Sequence, residues 1–438
     1  MNKKDEFIHK SILHDMSEGV MIIGLDGITR YINPAAAVIL GKKEEDITGE
    51  KIASLFFYDE RNDLFNQTLL DAIADASSAH YNLVPYYTGN ETKTIYVMTS
   101  YLHQNDKKIA LIAILNDMTS VVAMRKRYTE QLLHLLDSLV QALAAAIEER
   151  SHYNARHTHN MVSMAEYFLQ WLDKTNHPWQ FDQKKKHAFL MSVWLHDVGK
   201  LSVPLKVMDK ATRLGAAAEK INTRFGRIHL LDRLAFAEGN ITAEEFRLRE
   251  EHRKHWLDFI HKVDTSGFLS DEDAENVRVL AEQHYTEEDG TETPYLTPEE
   301  IDCLMIKRGT LTDKERTIMQ NHVTVTKKIL EKVDFPDDYK MVPEWAGAHH
   351  ELKNGKGYPE HKQGDAIPKE VCLLTILDIF EALTAKDRPY KKPIPVEKAW
   401  AILHSMADEG SLDKDILTLF EQAMSERSAS PTASSIDK

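Results

Sequence analysis

A chain of 438 residues that is 42% hydrophobic has material for roughly three domains of about 150 residues each, so burying a core is not its limiting problem. Its two cysteines, Cys303 and Cys372, exclude both a disulfide framework and a multi-thiolate zinc site within one chain, which leaves the 21 histidines and the carboxylates to hold any metal and favours iron, manganese or zinc. The net charge of −15 argues against bulk binding to nucleic acid or anionic membrane, and a phosphate-bearing ligand would need local positive charge.

The N-terminal MNKKDEFIHK lacks the apolar core of a signal peptide. The longest apolar run, IALIAIL at 109–115, falls far short of the about 18 residues that a membrane span requires. The expectation is a cytoplasmic protein with no membrane insertion.

In residues 1–119, VMIIGL (20–25), ITRYIN (28–33), TKTIYVMTSYL (92–102) and KIALIAIL (108–115) read as strands around helical stretches such as NPAAAVIL, a small α+β module. EGVMIIGLDGITRYINPAAAVILG and the closing NDMT (116–119) resemble a PAS sensor domain, in which such a tetrapeptide ends the last strand and launches an output helix. With no cysteine before Cys303, a cysteinyl flavin photosensor is excluded. His80 and His103 could ligate haem, but a solvated or core role is the favoured reading.

Over 120–148, apolar residues at 121, 124, 128, 132, 135, 139, 143 and 147 recur in steps of three and four without Gly or Pro. This predicts a long connecting helix whose stripe suits a parallel two-stranded coiled coil, hence a homodimer. Residues 149–425 read as an all-α bundle interrupted at about 211–307 by a charged insertion. Within it, ITAEEFRLREEHRKHWLDFIHKV reads as a solvated helical hairpin, and His252, His255 and His261 as surface residues rather than ligands. Residues 426–438 have the composition of a disordered tail.

The bundle segments carry the chemistry. FLMSVWLHDVGKLSVP (189–204) delivers His196 and Asp197 side by side before Gly199 and Lys200 break the helix. A lone HD pair is compatible with a plain helix ending in a Gly cap. Other segments add His157, His322, His349 with His350, and Asp378 inside the apolar run LLTILDIFEAL. An ionised aspartate at such a position is costly unless a cation offsets it. HHELKNGKGYP (349–359) sets two imidazoles before a glutamate, after which Gly355, Gly357 and Pro359 force a tight, exposed turn.

HDVGK, the downstream GTLT…H, HHELKNGKGYP and ILDIFEALTAKDRPYKK stand in the order of the HD-GYP family, which this half of the chain resembles over 149–205 and 307–425. The family is a branch of the HD metal-dependent phosphohydrolases. The resemblance implies a multidomain protein: a PAS-like sensor, a connecting helix, and an HD-type bundle that hydrolyses cyclic di-GMP to pGpG and on to GMP. It further implies two divalent ions, iron or manganese, held by His157, His196, Asp197, His322, His349, His350 and Asp378, with Asp197 bridging. Two neighbouring cations can lower the pKa of a shared water and hold phosphate oxygens. Lys200 is then placed to neutralise phosphate charge, and Arg388 and Lys391 match basic residues that hold substrate.

Some positions depart from the family. Asn354 and Glu381 stand where Asp is frequent, and Tyr153 stands where members with a third metal have a glutamate, so two ions are expected. His152 and His159 compete with His157 for its role, and the spacing after Tyr153 favours His157. The family also links the GYP loop to partner proteins, including diguanylate cyclase domains. Two alternatives fit the same residues: an HD hydrolase of another nucleotide, and a catalytically weak cyclic dinucleotide receptor or scaffold.

Overall fold

In the computed structural model, which describes residues 3–56, 58–74, 80–105, 107–150, 156–385 and 394–429, the chain divides between residues 135 and 136 into two units. The first opens with α1 (Lys3–Asp15), β1 (Gly19–Gly24), β2 (Thr29–Ile32) and the short helices α2 (Pro34–Leu40), α3 (Glu44–Ile47) and α4 (Ile52–Phe56). It continues with α5 (Asp63–Ala74), β3 (Tyr81–Tyr87), β4 (Thr92–Gln104) and β5 (Lys107–Asp117). The strands form one antiparallel sheet in the order β2-β1-β5-β4-β3, with Ile22 opposite Ile112 and Val97 opposite Leu115.

Alternation along β4 turns Ile95 and Val97 inward, where they join Met21, Ile23, Leu111 and Leu115 beneath Phe56 and Phe65. Asn33 fixes the start of α2, its side-chain oxygen accepting from Ala36 N (2.9 Å) and Val20 N (2.8 Å). At the other end, Asp117 accepts from the Thr119 N–H (3.0 Å), so the NDMT stretch makes the strand-to-helix switch that the resemblance implies. His103 is exposed beside the Tyr101 carbonyl, and neither it nor His80 belongs to the apolar core.

One strand was not foreseen. β3 contains Pro85, which reads against a strand interior, but β3 is an edge strand, where a missing N–H is tolerated.

Helix α6 (Thr119–Arg150) is the expected connecting helix. Of its stripe only Ile147 is buried; Val121, Met124, Tyr128, Leu132, Leu135, Leu139 and Leu143 are each 48–66% exposed.

The second unit continues with α7 (His157–Lys174) and α8 (Gln183–Leu195), then departs into the insertion: α9 (Leu205–Met208), α10 (Ala217–Ala237), α11 (Ala243–Thr265), α12 (Asp271–Ala281), the small hairpin β6 (His284–Thr286) and β7 (Glu292–Pro294), and α13 (Pro298–Leu304). The bundle resumes with α14 (Asp313–Leu330), α15 (Val342–Ala346), α16 (Lys369–Thr384), α17 (Val396–Asp408) and α18 (Lys414–Ala429). Helix α16 is buried along most of its length from Val371 to Leu377, the mark of a central helix. Helix α18 runs through Ala429, so the first four residues of the expected tail are helical, and 430–438 lie outside the described residues.

The insertion is more than a solvated hairpin. Phe225, Ile228, Trp256, Ile260, Val263, Leu280 and Leu296 form an apolar core of its own. Arg213, fully buried, ties its ends by donating to the carbonyls of Ile306 (3.0 Å) and Val263 (2.5 Å). His252 accepts from Trp256 Nε1 (2.9 Å) and His261 pairs with Asn222 (3.0 Å), both ordinary structural roles.

Candidate metal centre

Helix α8 ends at Leu195, so His196 and Asp197 sit at a helix terminus rather than within a helix, and a 3-10 turn (Val198–Ser202) follows. Gly199 in that turn packs against α14. A Cβ there would lie 1.9 Å from the His322 carbonyl oxygen and 2.6 Å from Thr326 N, so the glycine is required by close approach rather than as a left-handed cap. The Thr326 hydroxyl accepts from Gly199 N (2.9 Å) and donates to the His196 carbonyl (2.9 Å).

His157 opens α7, His322 lies on α14, Asp378 on α16, and His349 and His350 fall in the turn just after α15. These seven residues meet. Three overlapping sets, His157/His196/Asp378, His196/Asp197/His349 and His322/His349/His350, each bring their donor atoms within 4.8 Å of one another.

Asp197 stands between the halves. Its Oδ2 lies 3.2 Å from His196 Nε2 and 4.0 Å from His157 Nε2, while Oδ1 lies 3.2 Å from His322 Nε2 and 3.9 Å from His349 Nε2. Asp378 likewise presents Oδ1 to His157 Nε2 (3.3 Å) and Oδ2 to His350 Nδ1 (3.7 Å).

Outer hydrogen bonds set the tautomers. Nδ1 of His196, His322 and His349 faces the carbonyls of Val193 (2.7 Å), Met319 (2.6 Å) and Ala346 (2.7 Å), each three residues back. A carbonyl only accepts, so each Nδ1 carries the proton and each Nε2 keeps its lone pair. Those three Nε2 atoms are buried and have no hydrogen-bond partner among the described residues. Buried polar atoms are seldom left unmatched, so a divalent cation fits this donor set of imidazoles and carboxylates.

The electrostatics agree. Burial opposes ionisation of Asp197, but the Lys200 ammonium beside it outweighs burial and holds the carboxyl well below its ordinary range. Asp378 is held down in the same way by the hydrogen bond and charge of the His157 imidazolium. Burial and neighbouring imidazoles keep His349 neutral, and burial lowers His350 to about 4. Lys200 Nζ stands 2.6 Å from Asp197 Oδ2.

Residues that the sequence reading passed over complete the site. Glu381, noted there only as a departure from Asp, is buried and accepts from His157 Nδ1 (2.5 Å) and Asn160 Nδ2 (2.9 Å). Glu351 accepts from the backbone N–H groups of Glu360 (2.6 Å) and Lys362 (3.0 Å), pinning the loop beyond Pro359. Asn354 donates to Ser411 Oγ (2.7 Å), a bond in which an ionised aspartate could only accept.

The GYP turn itself is mostly half-buried rather than exposed, and Gly357 is buried and packed so closely that a Cβ there would meet Leu352 N at 2.2 Å. Tyr358 lays its ring against His350, centroids 4.8 Å apart. His159 points elsewhere, half exposed beside Glu148 (3.3 Å), so His157 is the histidine of this segment that reaches the cluster among the described residues. His152, Tyr153, Arg388 and Lys391 lie outside the described residues.

Comparison with known proteins agrees with both halves. Residues 295–416 match the HD domain family model and residues 17–120 match the PAS domain model. The chain is 39% identical over 101 residues to 3'3'-cGAMP-specific phosphodiesterase 3 of Vibrio cholerae, covering 23% of this chain and 21% of that protein. It is 36% identical over 120 residues to 3'3'-cGAMP-specific phosphodiesterase 1 of the same organism, covering 27% and 26%. To the cyclic di-GMP phosphodiesterase of Thermotoga maritima it is 34% identical over 106 residues, covering 24% and 28%. The chain thus spans between about a fifth and about three tenths of the length of these curated relatives. No described helix is long and apolar enough to cross a membrane. The chain carries a PAS domain at residues 17–120 and an HD domain whose matched part is residues 295–416.

Proposed function

We propose that this protein is a metal-dependent phosphodiesterase that opens a cyclic dinucleotide, with cyclic di-GMP as substrate and pGpG, then GMP, as products. The observation that carries the reading is the division of the Asp197 carboxylate, one oxygen facing His157 and His196, the other facing His322 and His349. Such a carboxylate suits two ions. His157, His196 and Asp378 would hold one; His322, His349 and His350 would hold the other.

Two divalent ions, iron or manganese, supply Lewis acidity to a phosphodiester and lower the pKa of a water. The chain's own part is binding and orientation. Lys200 sets an ammonium beside the Asp197 carboxylate, where it would offset phosphate charge. Arg388 and Lys391 fit the substrate's phosphate or guanine by the family pattern, and guanidinium suits either partner. The ions and the Lys200 ammonium would make a local positive site in a chain of net charge −15.

The exposed apolar stripe of α6 supports a homodimer along that helix, with the PAS domain acting on activity through it. A cytoplasmic location follows for an enzyme of an intracellular messenger, and the GYP loop is a candidate surface for a diguanylate cyclase domain.

Turnover of cyclic di-GMP by the iron- or manganese-loaded protein, prepared anaerobically, tests the reading, with the His196→Ala, Asp197→Ala double variant as control. Release of intact ligand without hydrolysis would make the protein a receptor instead. The names of two relatives favour a second substrate, 3'3'-cGAMP. A panel of cyclic dinucleotides at equal concentration separates the two by kcat/KM.

A further inference from the structure

The end of α6 reaches two of the segments that carry the proposed metal-holding residues, the turn after Asp197 and the start of α7. Arg150, in its last turn, donates through Nη1 to the carbonyls of Lys200 (3.2 Å) and Leu201 and through Nη2 to that of Val203 (3.2 Å). These carbonyls belong to the 3-10 turn after Asp197 and its exit. Glu148, buried, accepts from the backbone N–H of Thr158 (3.1 Å) with one carboxylate oxygen and lies 3.3 Å from His159 with the other. The N-cap residue of α7, Arg156, makes no side-chain cap bond, so Glu148 supplies an acceptor to the helix start that carries His157. Further up α6, Asp137 Oδ1 sits 2.6 Å from His187 Nε2 on α8, the helix that ends at His196.

These three anchors hold different parts of the centre from one helix. We propose that the last turns of α6 are a positioning element of the metal centre: Arg150 fixes the turn bearing Asp197 and Lys200, and Glu148 fixes the first turn of α7 bearing His157. A shift of α6 then moves the turn that carries Asp197 together with the His157 imidazole that faces its Oδ2, giving a mechanical entry for a signal that arrives along the helix. The inference rests on the di-metal reading above. A guanidinium suits the role because its fixed fork reaches several carbonyls at once, which a lysine ammonium at the end of a flexible stem does not reproduce.

The test uses the full chain with Arg150→Gln, Arg150→Lys and Glu148→Gln, and with Glu149→Gln, an exposed neighbour in the same turn, as control. Mn(II) binding is followed by electron paramagnetic resonance, and turnover of cyclic di-GMP by kcat and KM. Arg150→Gln should weaken manganese binding by about 10- to 100-fold, the range for residues that orient metal ligands, and alter the spectrum of the bound pair. It should lower kcat more than it raises KM. Arg150→Lys should recover only part of the loss, and Glu149→Gln should match the wild type. A purely structural role would leave the spectrum of the bound pair unchanged, and wild-type affinity, spectrum and kcat in both Arg150 variants and in Glu148→Gln would overturn the proposal. Failure of the wild-type chain to bind manganese would instead overturn the metal reading itself.

Discussion

Thr326 hydrogen-bonds to the carbonyl oxygen of His196 at 2.9 Å, joining α14 to the end of α8 at the point where the ligands begin. The same hydroxyl accepts from Gly199 N, and the side chain is fully buried. Thr326→Val keeps the shape but leaves a buried N–H without an acceptor and a carbonyl without its donor. The cost should be about 1–3 kcal/mol, read as a lower urea midpoint, together with weaker metal binding. A midpoint equal to wild type would remove this tether from the account.

Gly199→Ala should be worse. Its Cβ would press on backbone atoms of α14, at 1.9 Å from the His322 carbonyl oxygen, and backbone cannot swing aside as a side-chain tip can. Overpacking of this kind costs roughly 1–3 kcal/mol or more. Because the displaced helix carries His322, metal affinity should fall with thermal stability, and a variant with unaltered affinity would contradict the close approach.

Glu381→Gln tests the outer carboxylate. The amide can still accept from His157 Nδ1, yet it removes the negative charge that makes the imidazole a stronger donor. Metal affinity should drop by about 10- to 100-fold, measured by competition with a chelator, while Asn160 can turn its amide so that its oxygen accepts from the new NH2 group, which limits any change in fold. Retention of full affinity would reduce Glu381 to a packing residue.

Metal loading should release a proton from His157. Burial disfavours its charged form, but hydrogen bonds to Asp378 and Glu381 and their charges outweigh burial and raise it to about 9. A raised value means that the metal-free fold gains stability from this group below its ordinary pKa of 6.5 and loses it as pH rises through about 9. A cation takes the neutral ring, so binding at about pH 7.5 must expel the proton. Calorimetry in buffers of unlike ionisation enthalpy measures the release, and Glu381→Gln should lessen it.

Glu351→Ala removes the acceptor of two backbone N–H groups beyond the GYP turn. The loss should be about 1–3 kcal/mol, with faster amide exchange at Glu360 and Lys362. Unchanged exchange at both would show that the loop does not depend on this carboxylate.

The residues of the cluster were legible chiefly through the resemblance to the HD-GYP family, supported by two local signals: Asp378 in an apolar helix, and His349 and His350 before a rigid turn. What the residues alone do not reveal is which carboxylates stand behind them. Glu381 and Glu351 look like any glutamate until α16 packs on α7 and the loop folds back, since their roles depend on partners far away in sequence. The insertion was misjudged for a related reason. Its apolar residues are diluted by charge along each helix, and only the packing of Trp256, Phe225 and Leu280 from different elements makes a core. In β3, Pro85 hid a strand that is permissible only because it lies at the sheet edge.

Half of the matched architecture is folded around an interruption. Residues 295–416 include His322, His349, His350 and Asp378, whereas His157, His196 and Asp197 all precede the insertion. A fragment cut to the boundaries of the family match would therefore keep one side of the cluster and lose the carboxylate that spans it. The smallest piece of this chain able to assemble the whole donor set must begin before α7 and include both flanks of the excursion.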